Sequence, residues 1–135
     1  MIAILPLMLV PLVLYNLVML GLMGSGGIAA LETVVLSLSM LSGAQWTLSL
    51  GDLFILIGLV VLFFEILKAT RHSSGSLINH MLSLVVFIVF LVEFLLVRDA
   101  ATQIFFILMT ITFIDVIGGF AVSIRSAGRD VSIGL

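Results

Sequence analysis

The chain lacks cysteine entirely and carries few charges. Its 135 residues include no Cys, five Lys or Arg and seven Asp or Glu, for a net charge of −2 at pH 7. The absence of Cys excludes disulfides, thiolate metal sites and thiol catalysis. Charged residues make up 9% of the chain, whereas a soluble domain contains about 25%. There is also no basic patch interleaved with aromatic residues, so no nucleic-acid partner is expected.

Apolar residues take the place of the missing charges. They make up 63% of the chain, more than a soluble fold of this length could bury, so the sequence predicts a single integral membrane domain over residues 1–135 with the lipid bilayer as its main partner. Residues 1–31 contain no charged side chain. A secretory signal peptide would need a basic N-terminal region, so this stretch is predicted to be a retained first span.

Four segments are long and apolar enough to cross a bilayer, which takes about 20 residues. Pro6 and Pro11 each remove a backbone donor, so a kink or a broken first turn is expected in the first of them. The sequence therefore predicts an all-α bundle of four transmembrane helices. The predicted spans cover about residues 2–23, 52–69, 79–97 and 102–125.

Short connections join the last three spans. The polar turn RHSSGS ends at Ser76, a predicted N-cap of the third helix. Only RDAAT separates the third helix from the fourth, so these two helices are predicted to be antiparallel neighbours. Asp99 in that link is predicted to cap the fourth helix.

Lys and Arg residues near the span ends predict the orientation. With four spans, four of the five basic residues fall on one side, which is then cytoplasmic and holds both termini. Residues 28–51 lie on the opposite, extracytoplasmic side. A bacterial inner membrane is the expected location, because the chain is compact and shows no targeting signal. The cytoplasmic set is Lys68, Arg71, Arg125 and Arg129, and Arg98 is alone on the other side.

Residues 28–51 alternate between apolar and small polar side chains, which favours a β-hairpin over a further span. The turn is predicted at Ser42-Gly43-Ala44-Gln45, and a helical turn at Ala29 to Glu32 fits before it. A short interfacial helix over Ile28–Leu41 is the alternative. The apolar face of the hairpin would comprise Leu36, Leu38, Met40, Trp46, Leu48 and Leu50.

This apolar face needs a cover. Open sheet edges cannot lie in hydrocarbon, and an isolated two-stranded hairpin is only marginally stable. The face is therefore predicted to rest on the helix ends as a lid, on lipid, or on a second copy or another membrane subunit, for which it would be an interaction surface. Trp46 fits the role of an aromatic interface anchor.

Ionisable groups inside spans are candidates for function by default. Glu65 and Asp115 each lie thirteen residues from the predicted start of their spans, which places both ~20 Å deep. Two carboxyl groups in one dry site cannot both ionise cheaply, so the pair, with His80 and Thr112 near it, could handle a proton or a cation. The alternative is local pairing of Glu65 with Lys68, and of a protonated Asp115 with Thr112 or a backbone carbonyl.

A second group of polar residues is predicted near the outer end of the bundle. Glu93 in the third span is five residues before Arg98, and Tyr15 and Asn16 lie at a similar depth in the first span. A polar contact between helices among these residues would contribute about 1 kcal/mol. A structural role is favoured for all four.

Glycine and histidine complete the candidates. Gly118 and Gly119 follow Asp115 by one turn and could let a neighbouring helix approach closely.

Two His without Cys do not form a convincing metal site. The chain shows no phosphate-binding loop, nucleophile elbow or catalytic triad spacing, so neither an enzyme nor a cofactor is predicted.

Two classes of function remain open. The first is a non-catalytic membrane protein that acts as a self-associating scaffold or as an accessory subunit of a larger complex. The second is a small oligomeric channel or a proton- or cation-linked transporter that uses Asp115 and Glu65.

Overall fold

The computed structural model describes residues 5–24, 26–70 and 76–134, with side chains at all of these except 76, 123 and 125–134. Most of the described chain is helical, and one hairpin interrupts it. Two short 3-10 helices occupy Gly27–Glu32 and Arg98–Ala100. The main elements are α1 (Leu9–Met19), β1 (Val34–Ser39), β2 (Gln45–Ser49), α2 (Leu50–Ala69), α3 (Ser76–Leu96) and α4 (Gln103–Gly134).

Three of the helices are long and apolar enough to cross a membrane. Their apolar stretches are Leu50–Ala69, Leu77–Leu96 and Gln103–Val122. The prediction of a mostly helical chain with membrane-compatible helices and a small hairpin is confirmed to this extent. α4 continues nine residues beyond the predicted end at residue 125, to Gly134.

The first predicted span, residues 2–23, contains a much shorter helix. α1 has 11 residues, or about 16 Å, against a hydrocarbon thickness of about 30 Å. Pro11 explains its late start, because a helix beginning earlier would need an amide proton that Pro lacks and would bring its ring against Leu7. Gly21, with φ of +80°, ends the helix in the left-handed region. Residues 1–4 lie outside the described part of the chain.

α4 is the central helix of the bundle and packs along both α2 and α3. The α2–α4 contact is close at Gly58, where an added Cβ would lie 3.0 Å from Leu108 Cδ2. α3 and α4 are neighbours joined by a short link, as the sequence predicts. The outward sides of α2 and α3 carry large exposed apolar side chains.

Aromatic rings fill the core near the start of α4. Phe105 is fully buried, with its ring centroid 4.9 Å from Tyr15 of α1 and 5.2 Å from Phe90 of α3. Phe54 of α2 is also buried. Four helices therefore contribute to one apolar core, although α1 is short.

The cap predicted for α4 is wrong in its residue. Asp99 lies in the 3-10 helix Arg98–Ala100, whereas α4 begins at Gln103. Asp99 is therefore too far before the first residue of α4 to act as its N-cap. Thr102 takes the role instead, because its Oγ1 accepts a hydrogen bond from the Phe105 N–H at 3.2 Å. The Ser76 side chain, predicted to cap α3, lies outside the described residues.

The antiparallel hairpin β1–β2 is present, and the alternative helix over Ile28–Leu41 is not formed. Its turn uses residues 41–43 rather than the predicted Ser42 to Gln45, because Gln45 already belongs to β2. Gly43 has φ of +91°, and its N–H donates to the Met40 carbonyl at 2.9 Å. A glycine in the left-handed region is typical of this type of hairpin loop.

The strand register separates the two faces of the hairpin. One face carries apolar pairs, and the other carries polar pairs. On the polar face, Gln45 Oε1 accepts a hydrogen bond from the Ser39 hydroxyl opposite it, and Gln45 Nε2 donates to the hydroxyl of Ser37, two residues before Ser39. Leu50, predicted to belong to the hairpin, is instead the first residue of α2. The apolar pairs are Leu36 with Leu48 and Leu38 with Trp46, and the polar pairs are Ser37 with Thr47 and Ser39 with Gln45.

Candidate functional site

A cluster of buried polar side chains lies where α2, α3 and α4 meet. Each of its members is less than 7% exposed, although the surrounding helices are apolar. Buried polar groups of this kind in apolar helices are candidates for function. These buried residues, called the polar cluster below, are Glu65, Asn79, His80, Ser83, Thr112 and Asp115. Interactions within the group connect Glu65 with His80, Ser83 and Asp115.

Glu65 of α2 is held by three donors. Lys68 Nζ lies 2.9 Å from Oε1, with the carboxyl side chain 1% exposed and that of Lys68 18% exposed. The backbone N–H of Leu7 donates to the same oxygen at 3.1 Å. The other oxygen, Oε2, receives only a long 3.5 Å contact from the Ser83 hydroxyl. The predicted local pairing with Lys68 therefore exists, and Oε2 is left weakly satisfied.

The same ion pair fastens the chain that precedes α1. Besides its bond to Glu65, Lys68 Nζ donates to the Leu5 carbonyl at 2.8 Å. Glu65 and Lys68 together thus satisfy two backbone groups, Leu5 C=O and Leu7 N–H, of a segment that is not helical. Such backbone is tolerated at membrane depth only where protein groups satisfy it. Sequence reasoning missed these contacts, although Pro6 and Pro11 signal backbone in need of partners.

Asp115 of α4 lies beside the Glu65 and Ser83 side chains, both of which interact with its carboxyl group. The residue is 4% exposed. Among the residues that the structure describes, no group forms a hydrogen bond with Asp115 Oδ2. The structure therefore brings the two carboxyl groups of α2 and α4 together and leaves one buried oxygen without a donor.

Thr112 has different surroundings from those expected, whereas His80 lies near Glu65 as predicted. The Thr112 hydroxyl donates to the Leu108 carbonyl of its own helix at 2.9 Å, so the local bond to Asp115 is not formed. His80 of α3 is buried, close enough to Glu65 to interact electrostatically. Its ring centroid lies 5.5 Å from that of Phe120.

The two glycines of α4 differ from each other. A Cβ on Gly119 would lie 2.8 Å from two atoms of the His80 ring, whereas a Cβ on Gly118 would meet nothing within 4 Å. Gly119 therefore makes room for the His80 side chain of α3, and Gly118 makes no such contact.

At the opposite end of the bundle, Asn16 connects α1 to α3. Its Nδ2 donates to Glu93 Oε2 at 3.2 Å and to the Leu12 carbonyl at 2.8 Å. Within the described residues the only ion pair joins Lys68 and Glu65, so Arg98 does not pair with Glu93. The helix ends at Leu96, and the chain turns before Arg98 could follow the face that carries Glu93.

Tyr15 connects α1 to the start of α4 rather than to Glu93. Its hydroxyl donates to the Asp99 carbonyl at 2.8 Å and shares a 2.6 Å hydrogen bond with Thr102 Oγ1. Thr102 therefore both caps α4 and bonds to α1, a role that sequence reasoning missed.

The hairpin forms the second candidate site. Leu36, Leu38, Met40 and Trp46 on its apolar face are exposed, so this face is not packed as a lid on the helix ends. Only Leu48, near the base, is partly covered. The structure thus presents an uncovered apolar strand pair.

The base of the hairpin is firmly attached to the bundle. The Leu50 N–H donates to the Thr33 carbonyl at 2.8 Å, which ties the two ends of the hairpin together. Leu31, just before β1, is buried in the core. Ser49 and Asp52 form a capping box that fixes the junction of β2 with α2.

Within residues 5–24, 26–70 and 76–134, no group of three or more His, Cys, Asp or Glu side chains is placed to hold a metal ion.

No known protein family, curated protein sequence or solved structure matches the chain. The class that the geometry defines is a small helical protein with three membrane-compatible helices, a buried polar cluster and a projecting apolar hairpin.

Proposed function

We propose that the protein is a non-catalytic integral membrane component, either a self-associating scaffold or an accessory subunit of a larger membrane complex. The observation that carries this proposal is the uncovered apolar face of the hairpin on a firmly attached base. A hairpin that served as a lid would pack its apolar side chains on the helix ends. If lipid covers the face instead, Leu38→Thr in the test below will leave association unchanged.

Membrane placement is supported by the three long apolar helices and their exposed apolar sides. The segment that contains α1 completes a fourth crossing in this proposal. Its start is bonded to Lys68 near the end of α2, and its Tyr15 is bonded to Thr102 at the start of α4. Leu5 to Tyr15 therefore runs antiparallel to α2 along much of its length.

Orientation rests on the basic residues. Lys68 lies at one end of the described bundle and Arg98 at the other. In a four-span topology the sequence adds Arg71, Arg125 and Arg129 to the side of Lys68. The positive-inside rule then favours cytoplasmic termini and an outer hairpin, in a bacterial inner membrane in this proposal. Arg71 and the side chains of Arg125 and Arg129 lie outside the described residues. Because the chain has no Cys, a single cysteine at Ser42 can be labelled from either side; labelling only from the cytoplasm would reverse this orientation.

The hairpin offers two kinds of contact to a partner. The cross-strand pairs Leu36–Leu48 and Leu38–Trp46 form an apolar strip. The described part of the sheet has two strands, so each strand also has an outer edge whose backbone groups can pair with an added strand. A second copy or another membrane subunit could use the strip and an edge together.

A matched pair of variants tests the docking role. Leu38→Thr removes an apolar side chain while keeping a good strand former, and Ser37→Thr places the same residue type on the opposite face. Burial of one Leu contributes about 1.5–3 kcal/mol, so Leu38→Thr is expected to weaken association roughly ten- to hundredfold. Ser37→Thr should leave association unchanged.

The measurement is native mass spectrometry from membranes, combined with crosslinking through a single cysteine at the exposed tip residue Leu41. A discrete homo-oligomer that Leu38→Thr dissociates supports a scaffold, and co-purification with one larger complex supports a subunit. Equal association of both variants with the wild type would refute docking through this face.

The polar cluster favours a second candidate function, a small oligomeric channel or a proton- or cation-linked transporter. Glu65 and Asp115 are both buried and adjacent, which is typical of intramembrane ion sites. Proton or cation flux into liposomes that Asp115→Asn abolishes and Glu93→Gln preserves would support it. Absence of flux from the wild-type protein would count against it.

A further inference from the structure

Charge balance in the polar cluster is incomplete. If both carboxyl groups and the Lys68 ammonium group were ionised, Glu65 and Asp115 would contribute a charge of −2 and Lys68 a charge of +1. The site would then carry one net negative charge. The remaining negative charge would lie among side chains less than 7% exposed, where an uncompensated charge is strongly unfavourable. One further positive charge is needed, and Glu65 already has its counter-ion in Lys68.

We propose that the Glu65–Asp115 pair binds one exchangeable proton, which is carried by the Asp115 carboxyl and donated toward Glu65 Oε2. The site does not depend on the docking function proposed above, and it holds a proton whether or not the protein transports one.

Hydrogen bonding selects Asp115 as the carrier. Glu65 Oε1 accepts from Lys68 and from the Leu7 N–H, contacts that stabilise an ionised carboxylate. Asp115 Oδ2 is buried and has no donor among the described residues, which is costly for a carboxylate oxygen. Protonation turns that oxygen from an acceptor into a donor.

Glu65 Oε2 is the matching acceptor. Its contact with the Ser83 hydroxyl is long, at 3.5 Å, so it retains capacity for a shorter bond. The Glu65 side chain already interacts with the Asp115 carboxyl. A single proton therefore satisfies the orphaned oxygen, supplies Glu65 Oε2 with a donor and removes the excess charge.

Among the residues whose side chains are described, the charged and titratable groups around Asp115 come from two helices. α2 contributes Glu65 and Lys68, and α3 contributes His80, which lies near both of these α2 side chains. On its own helix the nearest polar side chain, Thr112, is bonded to a backbone carbonyl. Two groups could supply the positive charge in place of a proton on Asp115. Lys68 could move toward an ionised Asp115, and the His80 imidazole could take up the proton. In either case the protonated carboxyl band described below would be absent.

Water can approach the Glu65–Lys68 ion pair of the proton site from the surface beside Lys68. A surface recess lined by Leu7, Phe64, Leu67 and Lys68 borders the ion pair, and the Lys68 side chain is 18% exposed. The proton can therefore exchange with water at the Lys68 end of the bundle, which is the cytoplasmic end in the proposed orientation.

The test is infrared spectroscopy of the full chain in lipid nanodiscs at neutral pH. A protonated carboxyl group gives a C=O absorption separate from that of carboxylates. We expect this band in the wild type, a shift of the band in deuterated buffer, and its persistence in the control Glu93→Gln. The band should be absent from Asp115→Asn.

Asp115→Asn is also expected to fold, because the amide N–H₂ can donate to Glu65 Oε2 as the proposed acid does. Isotopic labelling provides an assignment that does not rely on any variant. Labelled Asp should move the band and labelled Glu should not. Of the four Asp residues, 52, 99, 115 and 130, Asp52 and Asp99 are exposed and Asp115 is buried. The band should persist in Asp130→Asn.

Three results would overturn the proposal: no protonated band in the wild type, a band that follows labelled Glu, or a band that Na⁺ abolishes. The last result would show that a metal cation rather than a proton supplies the compensating charge. A band that moves with labelled Asp and is indifferent to Na⁺ supports the proton site, even if Asp115→Asn fails to fold.

Discussion

Gly118 and Gly119 are adjacent in α4 but have different neighbours, which makes them a matched pair for testing how α3 and α4 pack. A methyl group at Gly119 would lie 2.8 Å from Cε1 and Nδ1 of His80, closer than van der Waals contact allows. A methyl group at Gly118 would meet open space. Alanine at position 119 therefore requires the buried His80 ring to move, and alanine at position 118 requires nothing.

The expected magnitude follows from two effects. Ala is favoured over Gly in a helix by about 1 kcal/mol, and this gain is common to both substitutions. Forcing one methyl group into a packed site costs about 1–3 kcal/mol, and only Gly119→Ala carries this cost. The free energy of unfolding should thus be lower in Gly119→Ala than in Gly118→Ala by about 1–3 kcal/mol.

Reversible unfolding in mixed detergent micelles, followed by loss of helix signal, measures this difference directly. Gly118→Ala should unfold at or above the denaturant fraction of the wild type, and Gly119→Ala should unfold at or below it and clearly below Gly118→Ala. Equal stability of the two variants, or a lower stability of Gly118→Ala, would show that the α3–α4 contact at His80 does not exist as described.

Two further variants test the polar contacts at the other end of the bundle by the same unfolding measurement. Tyr15→Phe removes the hydroxyl bonded to Asp99 and Thr102 and should lower the free energy of unfolding by about 1 kcal/mol. The control Thr102→Ser keeps a hydroxyl at position 102. If Thr102→Ser destabilises the protein as much as Tyr15→Phe does, the role given to this hydrogen bond is wrong. Ser49→Ala removes the capping box with Asp52 and should cost about 0.5–2 kcal/mol, whereas Ser49→Thr should retain most of it. An unchanged Ser49→Ala would mean that the hairpin junction does not depend on the cap.

The elements that followed a strict period were predictable from the sequence. The alternation around Leu36 and Leu38 identified the hairpin, because successive strand residues point to opposite faces. Three long helices were evident from their apolar length. The juxtaposition of Glu65 and Asp115 could be anticipated because helical rise converts residue number into depth.

Contacts between distant segments were not predictable in this way. Nothing local to Thr102 shows that its hydroxyl will meet Tyr15, because that contact depends on how two helices pack. Asp99 was a good N-cap by residue type, but the chain makes a 3-10 turn there first. The length of α1 was overestimated because hydropathy counts apolar residues and ignores where Pro11 allows a helix to start.

The bonds from Lys68 and Glu65 to the segment before α1 have a consequence for biogenesis. Leu5 and Leu7 are synthesised before α2, yet their backbone groups find partners only when the far end of α2 is in place. Until then the segment has unsatisfied polar groups that hydrocarbon does not tolerate. In the proposed membrane placement, the segment before α1 would therefore remain near water or the insertion machinery and would enter its final position only after α2 has crossed.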